Sequence, residues 1–401
     1  MKICNSNQIR RILVRAPNWI GDAVLCLPAL ERLKSAYPQA DMTVLAKPWV
    51  SPVFSHNPAI KRIIEYDTSV RHRGIYGKWR LVQVIRGYGF DMAVLFQNAF
   101  EAALIAFLSR IPVRIGYNRD GRRLLLTYPV ELTSDIKRAH HVAYYLNIID
   151  RIQKPEYRTQ NKNISQLDKE NRPKLYLTEK EKDWSKGFLN DKGIDSGIII
   201  GIAPGASYGP AKRWMAERFR GVAQRLIEAY GARLILFGEK FDRDICGEVL
   251  NSLDDKKPSK GINVHTSPLS PPLLGTDLKS VPTGGQGENV WVNLAGEISL
   301  RESIAILSRC NLFITNDSGP MHIAAALGVP TVAIFGSTDP SLTGPIGDTV
   351  KVLKKDISCS PCFERECKKG HYDCMNMITV DDVYEACVAF LGRKGMGVQN
   401  F

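Results

Sequence analysis

The sequence predicts an α/β protein built from two Rossmann-like units, each a doubly wound parallel sheet. Short apolar runs alternate with amphipathic segments along most of the 401 residues, which is typical of βαβ units. A polar stretch at 153–173, rich in Asn, Gln, Lys and Pro, divides this alternation into two series. Glycine-rich or acidic turns directly follow several predicted strands, and such turns form the ligand-binding edge of an open parallel sheet.

The first series contains five predicted strands, each a short run of apolar and β-branched residues. An amphipathic pattern predicts a helix after three of them. The strands are 9–15, 42–46, 60–66, 92–96 and 113–117, and the helices run from 22 to about 37, over 76–86 and over 99–108. We expect this unit to end near residue 152, which places the first domain boundary at 172.

The second series repeats the pattern after a helix predicted at 179–189. Its strands are 198–203, 233–238, 290–294, 312–315 and 331–336, and its further helices are 217–229, 300–309 and 380–391. The predicted second domain is 173–379, and 380–401 forms a closing helix and tail. Residues 254–289 interrupt the pattern with Pro, Gly, Ser and Thr, and we interpret them as a disordered surface insertion.

Composition and net charge limit which class of protein, which compartment and which partners are expected. With 44% hydrophobic and 24% charged residues, the chain has the balance of a soluble globular protein. It contains no run long enough to span a bilayer and no signal-peptide pattern, so the expected compartment is the cytoplasm. The net charge of +13 favours an anionic partner: nucleic acid, a membrane surface or a phosphorylated substrate. Helix-turn-helix and RNP-like signatures are absent from the sequence.

The turn after the predicted strand 312–315 is the strongest candidate for a ligand site. Asp317, Ser318 and Gly319 occupy it, Ser318 is placed to cap the next helix, and His322 lies in that helix. A helix start at this edge of a sheet offers free N–H groups and suits phosphate. A purely structural turn with a capping Asp is an equally good interpretation of this stretch alone.

Three more turns carry candidate chemistry. The turn 17–22 contains Gly21 and Asp22, and an ionised Asp22 could accept a proton from an attacking hydroxyl or could only cap the helix. The turn 204–214 combines Gly205, Ser207, Gly209 and Lys212, which could hold a pyrophosphate, although a glycine-rich loop with a solvated lysine is the alternative.

The third of these turns, 238–242, offers two carboxylates for ribose hydroxyls, Glu239 and Asp242. Either side chain could instead be simply exposed. Walker A, G-x-G-x-x-G, H-E-x-x-H and nucleophile-elbow patterns do not occur at these turns.

Four cysteines lie close together near the end of the second series, at Cys359, Cys362, Cys367 and Cys374. In a cytosolic chain this spacing suggests metal or redox chemistry rather than disulfides. Only the first pair has zinc-knuckle spacing, so zinc and reduced, partly buried thiols both remain open.

Three motifs together resemble the lipopolysaccharide heptosyltransferases of glycosyltransferase family 9, and the type II branch in particular. They are Arg15-Ala-Pro-Asn-Trp-Ile-Gly-Asp22, Pro204-Gly-Ala-x-Tyr-Gly-Pro-Ala-Lys-Arg-Trp214 and Asn316-Asp-Ser-Gly-x-Met-His-x-Ala-Ala-Ala326. The resemblance covers nearly the whole chain, and the second motif is the most specific. The insertion 254–289 departs from the family, and the turn 238–242 matches only loosely.

The resemblance implies a GT-B architecture, in which two Rossmann-like domains face each other across a cleft and the last helix crosses back to the first domain. It implies an inverting transfer of L-glycero-D-manno-heptose from ADP-heptose to the heptose of heptosyl-Kdo₂–lipid A. The enzyme would be a monomer, peripheral at the cytoplasmic face of the inner membrane, with no obligatory cofactor or metal and no nucleic acid partner.

Family roles then fall on particular residues. Asp22 would be the general base, and Lys212 would stabilise the leaving diphosphate. The implied donor-binding residues are Ser207, Tyr208, Lys212, Glu239, Asp242, Asp317, Ser318, Gly319 and His322, and the implied acceptor-binding residues are Asn18, Trp19 and Gly21. The alternatives are a related glycosyltransferase with another donor or acceptor, and a non-catalytic binding module for a nucleotide sugar or for nucleic acid.

Overall fold

A computed structural model of the chain describes residues 8–153, 171–194, 197–251, 253, 283–284 and 291–394. The chain divides into two compact units. The first comprises Met1–Tyr176 with Ser341–Thr343, and the second comprises Leu177–Pro340 with Gly344–Phe401. Except for 283–284, the predicted insertion 254–289 lies outside the described residues.

The first unit is a six-stranded parallel sheet with the strand order β3-β2-β1-β4-β5-β6. This is the Rossmann order 3-2-1-4-5-6. Its strands are β1 (Arg11–Arg15), β2 (Asp41–Ala46), β3 (Arg62–Glu65), β4 (Met92–Leu95), β5 (Val113–Tyr117) and β6 (Tyr128–Val130). Its helices are α1 (Ile20–Leu25), α2 (Leu27–Ala36), α3 (Gly74–Gly87), α4 (Phe100–Leu108), α5 (Ser134–Lys137) and α6 (His141–Gln153).

The first unit differs from the predicted elements in two ways. The single helix predicted from residue 22 to about 37 is two helices, because the chain breaks at Cys26, two residues before Pro28, which has no N–H to continue the helix. Three elements near the end of the unit, β6, α5 and α6, were not predicted. The other strands and helices of this unit lie within a few residues of their predicted positions.

The second unit has seven strands in the order β13-β12-β11-β7-β8-β10-β9. Leaving out the short antiparallel β9, the order again follows the Rossmann pattern. The strands are β7 (Ile199–Ala203), β8 (Arg233–Leu236), β9 (Thr283–Gly284), β10 (Trp291–Asn293), β11 (Leu312–Asn316), β12 (Thr331–Ile334) and β13 (Val350–Leu353). The helices are α7 (Glu179–Asp191), α8 (Ala216–Tyr230), α9 (Arg243–Leu250), α10 (Leu300–Leu307), α11 (Gly319–Ala326), α13 (Asp373–Asn376) and α14 (Val380–Lys394). Between α11 and α13, the short helix α12 (Pro340–Thr343) belongs to the first unit except for Pro340.

Both units therefore confirm the predicted α/β class. In the second unit, the core brings buried side chains of the central strands together with those of α8 and α14, such as Phe219 and Val383. Trp214, which is fully buried, joins this core and donates from its indole Nε1 to the carbonyl of Ile378 at 2.9 Å. The proposed return of the last helix to the first unit stays a prediction. Among the described helices, none has the length and apolar character needed to cross a membrane.

A buried ion pair joins α7 to α10 inside the second unit. The Arg301 guanidinium donates twice to the Glu181 carboxylate, from Nε and Nη2, both at 2.8 Å, and both residues are 6% exposed. Glu181 also completes a capping box with Thr178 at the start of α7. Removing one member of such a pair leaves a charge buried without its partner.

We expect Arg301→Ala to lower the free energy of unfolding by about 3–5 kcal/mol, measured by urea denaturation. The control is Lys182→Ala, which breaks the exposed pair with Glu179 on the same helix α7 and should cost at most about 1 kcal/mol. Equal effects of the two substitutions would show that burial of the Arg301 pair does not matter.

Candidate active site

The candidate residues form two groups, one at the carboxyl edge of each sheet. Asn18, Trp19, Gly21 and Asp22 follow β1 in the first unit, and the predicted donor-binding residues follow β7, β8 and β11 in the second. Because parallel strands end at the same edge, the turns after neighbouring strands converge there.

Asp22 lies in the first turn of α1, and two side chains of α6 hold it. Its Oδ1 is 3.0 Å from His141 Nδ1 and accepts a hydrogen bond from the Tyr145 hydroxyl at 3.3 Å. The Asp22 side chain is 26% exposed, so it is positioned by the protein and still open to solvent. Burial and the nearby Asp22 charge raise the pKa of Tyr145, which keeps this hydroxyl a hydrogen-bond donor.

Asn18 is fixed from two sides at the end of β1. The buried Arg15 donates from Nη2 to the Asn18 side-chain oxygen at 2.8 Å, and Trp49 Nε1 donates to the Asn18 carbonyl at 2.9 Å. Burial lowers the pKa of Arg15 to about 10, which still leaves it charged at neutral pH. Trp19 is 66% exposed, and Gly21 is half-buried in the first turn of α1.

Lys212 and Asp317 meet at the edge of the second sheet. The Lys212 ammonium is 2.6 Å from Asp317 Oδ2, and the side chains are only 13% and 4% exposed. The Thr338 hydroxyl also donates to Asp317 Oδ2. The turn after β7 and the turn after β11 are therefore joined by a nearly buried charge pair.

The loop that carries Lys212 is tied to β11 by one buried side chain. The Asn316 amide group accepts from the Trp214 backbone N–H at 3.0 Å and donates to the Pro204 carbonyl at 2.7 Å. Further out, the Tyr208 hydroxyl donates to the Phe363 carbonyl at 2.6 Å. The Tyr208 ring lies 4.7 Å from Lys212 Nζ, and Ser207 beside it is exposed.

The start of α11 keeps the character expected of an anion site. Ser318 is the N-cap residue, as predicted, but its side chain makes no capping hydrogen bond. Its hydroxyl instead donates to the Asn316 carbonyl at 3.3 Å. The helix start, which includes the half-buried Gly319, can therefore direct its N–H groups to a ligand. His322, in the same helix, is only 5% exposed, and its contact with the donor stays a prediction.

The two carboxylates after β8 have different environments. Glu239 and Asp242 form a reciprocal capping box, in which each side chain accepts from the other's backbone N–H. Asp242 is 6% exposed, whereas Glu239 is exposed. Partial desolvation of its carboxyl group and the neighbouring Asp242 charge raise the pKa of Glu239. Of the two candidates for a ribose, only Glu239 presents its side chain to solvent.

The cysteine cluster brings its thiols near one another. Burial and the neighbouring thiols, Cys362 first, raise the pKa of Cys374, and Cys359 Sγ is 4.0 Å from His371 Nε2. Within the described ranges, no group of three or more His, Cys, Asp or Glu side chains is arranged to hold a metal ion. Zinc binding by Cys359, Cys362, Cys367 and Cys374 stays a prediction, which elemental analysis of the purified protein can test.

A family model supplies the decisive comparison. Residues 78–264 and 280–373 match the model described as glycosyltransferase family 9 (heptosyltransferase). The chain belongs to glycosyltransferase family 9. This confirms the resemblance drawn from the three motifs, and it makes the protein a glycosyltransferase.

Relatives of this family 9 member match it almost end to end. It is 28% identical to lipopolysaccharide heptosyltransferase 2 of Salmonella typhimurium over 96% of this chain and 100% of the relative. It is 27% identical to the protein of the same name from Escherichia coli, over 95% and 98%. The structure of E. coli ADP-heptose lps heptosyltransferase II matches with a TM-score of 0.73 and 26% identity, covering 96% of this chain and 99% of that one.

A second solved structure agrees. The family 9 glycosyltransferase of Veillonella parvula matches with a TM-score of 0.74 and 25% identity, covering 96% of this chain and 98% of that one. These comparisons confirm the GT-B fold class for this family member.

The sequence predicted Asp22 but not the residues that position it. His141 and Tyr145 belong to α6, a helix that was not predicted. The apolar positions Val142, Leu146 and Ile149 recur at helical spacing and could have revealed the helix. They could not have shown that it packs beside α1, because that contact joins residues 119 positions apart.

The loop after β7 approaches the turn after β8 so closely that Gly205 has no room for a side chain. A Cβ at this position would lie 2.2 Å from Asp242 Oδ1. We expect Gly205→Ala to displace the loop or Asp242 and to cost about 1–3 kcal/mol of unfolding free energy, measured by denaturation.

The matched control is Gly247→Ala in α9, where a new Cβ meets nothing within 4 Å and alanine favours the helix by about 0.5–1 kcal/mol. If the overlap is the cause, Asp242→Ala should relieve part of the Gly205→Ala defect in the double variant. Strict additivity of the two substitutions would contradict this explanation.

Proposed function

We propose that this protein is an inverting heptosyltransferase that moves L-glycero-D-manno-heptose from ADP-heptose to the first heptose of the lipopolysaccharide inner core. The observation that carries the proposal is the Asp22 carboxylate, which is positioned by α6 and open to solvent at the carboxyl edge of the first sheet. The names of the similar proteins, heptosyltransferase 2 and ADP-heptose lps heptosyltransferase II, support the choice of donor and acceptor.

In the proposed reaction, Asp22 acts as the general base. It removes the proton of the acceptor hydroxyl while that oxygen bonds to the anomeric carbon of heptose and the bond to the ADP phosphate breaks. Both hydrogen bonds from α6 end on Oδ1, so we assign the incoming proton to Oδ2. His141 and Tyr145 are positioning residues, and Asn18, Trp19 and Gly21 would contact the acceptor. A general base of this kind typically raises the reaction rate roughly 10²–10⁴-fold.

The second unit would bind the donor and stabilise the leaving group. Lys212 and the N–H groups at the start of α11 supply positive charge where the diphosphate develops its negative charge, so the proposal needs no metal ion. Lys212 has to exchange its Asp317 partner, at least in part, for a phosphate oxygen. Because the Glu239 side chain is exposed and Asp242 is buried, we assign Glu239 to the ribose hydroxyls. Ser207 and Tyr208 would lie at the rim of the donor site.

The proposed acceptor, heptosyl-Kdo₂–lipid A, is a membrane lipid, so we place the enzyme at the cytoplasmic face of the inner membrane as a peripheral monomer. The net charge of +13 suits an anionic leaflet and a phosphorylated acceptor, because each Lys or Arg near such a surface contributes about 1 kcal/mol.

The proposal is tested by turnover with ADP-heptose and heptosyl-Kdo₂–lipid A, with UDP- and GDP-sugars as competing donors. Transfer to that acceptor with ADP-heptose alone is the expected result. Transfer only to Kdo₂–lipid A, or only from another nucleotide sugar, would assign the chain to a different branch of the family. Tight donor binding without any transfer would favour the non-catalytic module.

We expect Asp22→Ala to lower kcat roughly 10²–10⁴-fold. The Kd for ADP-heptose should stay unchanged, because Asp22 belongs to the first unit and the proposed donor site belongs to the second. Steady-state kinetics and calorimetry provide the two measurements. Asp41→Ala, an exposed acid that begins β2 at the opposite edge of the same sheet, is the charge-matched control. Near-normal turnover of Asp22→Ala would rule out its role as base.

Lys212→Ala should raise the Kd for ADP roughly 10–100-fold, as expected for the loss of a charge-assisted hydrogen bond. Lys351→Ala, an exposed lysine on β13, removes the same charge away from the loop and should leave the Kd unchanged. Thermal unfolding of both variants separates a binding effect from the cost of leaving Asp317 buried without Lys212. An unchanged Kd in a folded Lys212→Ala protein would argue against the phosphate role.

A further inference from the structure

The start of helix α3 exposes several large apolar side chains side by side. Val70, Ile75 and Tyr76 are 75%, 90% and 78% exposed, and Trp79 is 49% exposed. Exposed apolar residues that occur singly are ordinary, whereas a contiguous group at one place on a soluble unit marks an interaction surface. We call the group the α3 surface; it consists of Val70, Ile75, Tyr76 and Trp79 with the exposed arginines Arg71, Arg73 and Arg80.

The fold holds these side chains outward. The opposite face of α3 is buried through Leu81, Val82 and Ile85. Gly77 packs its backbone against the preceding loop, where an added Cβ would lie 2.6 Å from the His72 carbonyl carbon. The loop and the first turn of α3 therefore form one fixed surface, and its apolar groups cannot turn inward without breaking this packing.

The charge around this surface is mainly positive, although the preceding Asp67 accepts from the Val70 backbone N–H at 3.1 Å. Residues 68–90 contain no Asp or Glu, and they contain Arg71, Arg73, Lys78, Arg80 and Arg86. Lys78 pairs with Glu101, so the excess charge comes from the exposed arginines. Aromatic and aliphatic side chains interleaved with arginines are typical of protein segments that lie in the headgroup region of an anionic bilayer.

The α3 surface also lies at the edge where an acceptor would be needed. Glu101, the partner of Lys78, accepts from the Tyr66 hydroxyl directly after β3, which anchors the amino-terminal half of α3 at the carboxyl edge. Asp22 follows β1 at the same edge, and one strand, β2, separates β1 from β3. Neighbouring strands are about 4.8 Å apart, so these strand ends are about 10 Å apart.

We infer that the α3 surface docks the enzyme on an anionic lipid bilayer, with Ile75, Tyr76 and Trp79 in the headgroup boundary and the arginines on lipid phosphates. This rests on the proposed function, in which the acceptor is anchored in that bilayer. Docking through α3 holds the carboxyl edge of the first sheet at the membrane surface. It thereby presents the sugar portion of the lipid to Asp22.

The test is co-sedimentation of the full chain with vesicles of phosphatidylethanolamine and phosphatidylglycerol, compared with pure phosphatidylcholine. Ile75→Ser/Tyr76→Ser should lower the partition coefficient at least tenfold at every salt concentration. Arg71→Gln/Arg73→Gln should lower it about fivefold for each charge removed at low salt, and the difference should shrink in 0.5 M salt.

Two controls carry the same chemistry elsewhere. Arg10→Gln removes an exposed arginine just before β1, at the opposite edge of the same sheet, and Met377→Ser removes an apolar side chain that is 51% exposed in the second unit. Both should bind vesicles as the native chain does. Wild-type binding by the two surface variants, or equal binding of the native chain to phosphatidylcholine, would overturn the inference. So would self-association of the native chain that Ile75→Ser/Tyr76→Ser abolishes, because the surface would then belong to a second copy.

Kinetics keep this inference separate from the proposed function. With a deacylated, water-soluble acceptor, the surface variants should turn over normally. With acceptor embedded in vesicles, their KM should rise by the same factor as the loss of partition. If the native chain transfers to neither acceptor, the proposed function fails, while the vesicle measurements still decide whether α3 docks on lipid. A KM defect on the soluble acceptor as well would overturn docking in favour of direct contact with the sugar.

Discussion

Parallel pairing is the constraint on which the candidate site depends. It forces the carboxyl ends of all neighbouring strands to one edge, so turns that are far apart in sequence must meet there. In the second unit, this is why Lys212 after β7 and Asp317 after β11 form a pair at 2.6 Å. In the first unit, the same constraint puts Asp22 and the start of α3 at a shared edge.

Buried polar side chains then fix these turns where the sheets alone would not. The side-chain oxygen and nitrogen of Asn316 both form hydrogen bonds to the loop that carries Lys212. Arg15 donates a hydrogen bond to the side-chain oxygen of Asn18, and burial of the Arg15 guanidinium lowers its pKa. Each such group is stable only while its partners stay in place, because an unpaired polar group in the interior costs about 1–3 kcal/mol. The interior therefore constrains the loops at the edge.

Features that depend on neighbouring residues could be predicted best from the sequence. Apolar periodicity placed most strands and helices, and the N-cap position of Ser318 followed from its neighbours. Local sequence could not show that the Ser318 hydroxyl turns away from the helix. Nor could it show which of Glu239 and Asp242 is buried, because both features depend on packing between distant segments. The partners of Asp22 were missed for the same reason. The motifs still identified the family, because they contain the residues that make these contacts between distant segments.

The crossover between α9 and β10 has a consequence for how this chain tolerates change. Helix α9 ends at Leu250 and β10 begins at Trp291, and a parallel strand begins at the amino edge of its sheet. The two ends of this connection, at Leu250 and Trp291, thus lie on the side away from Lys212, Asp317 and Glu239, while β9 within it runs antiparallel to β10. Chain can be inserted next to Leu250 or next to Trp291 without moving a strand end that carries a ligand-binding turn. Changes in length are accommodated at one edge of the sheet, and the chemistry is kept at the other.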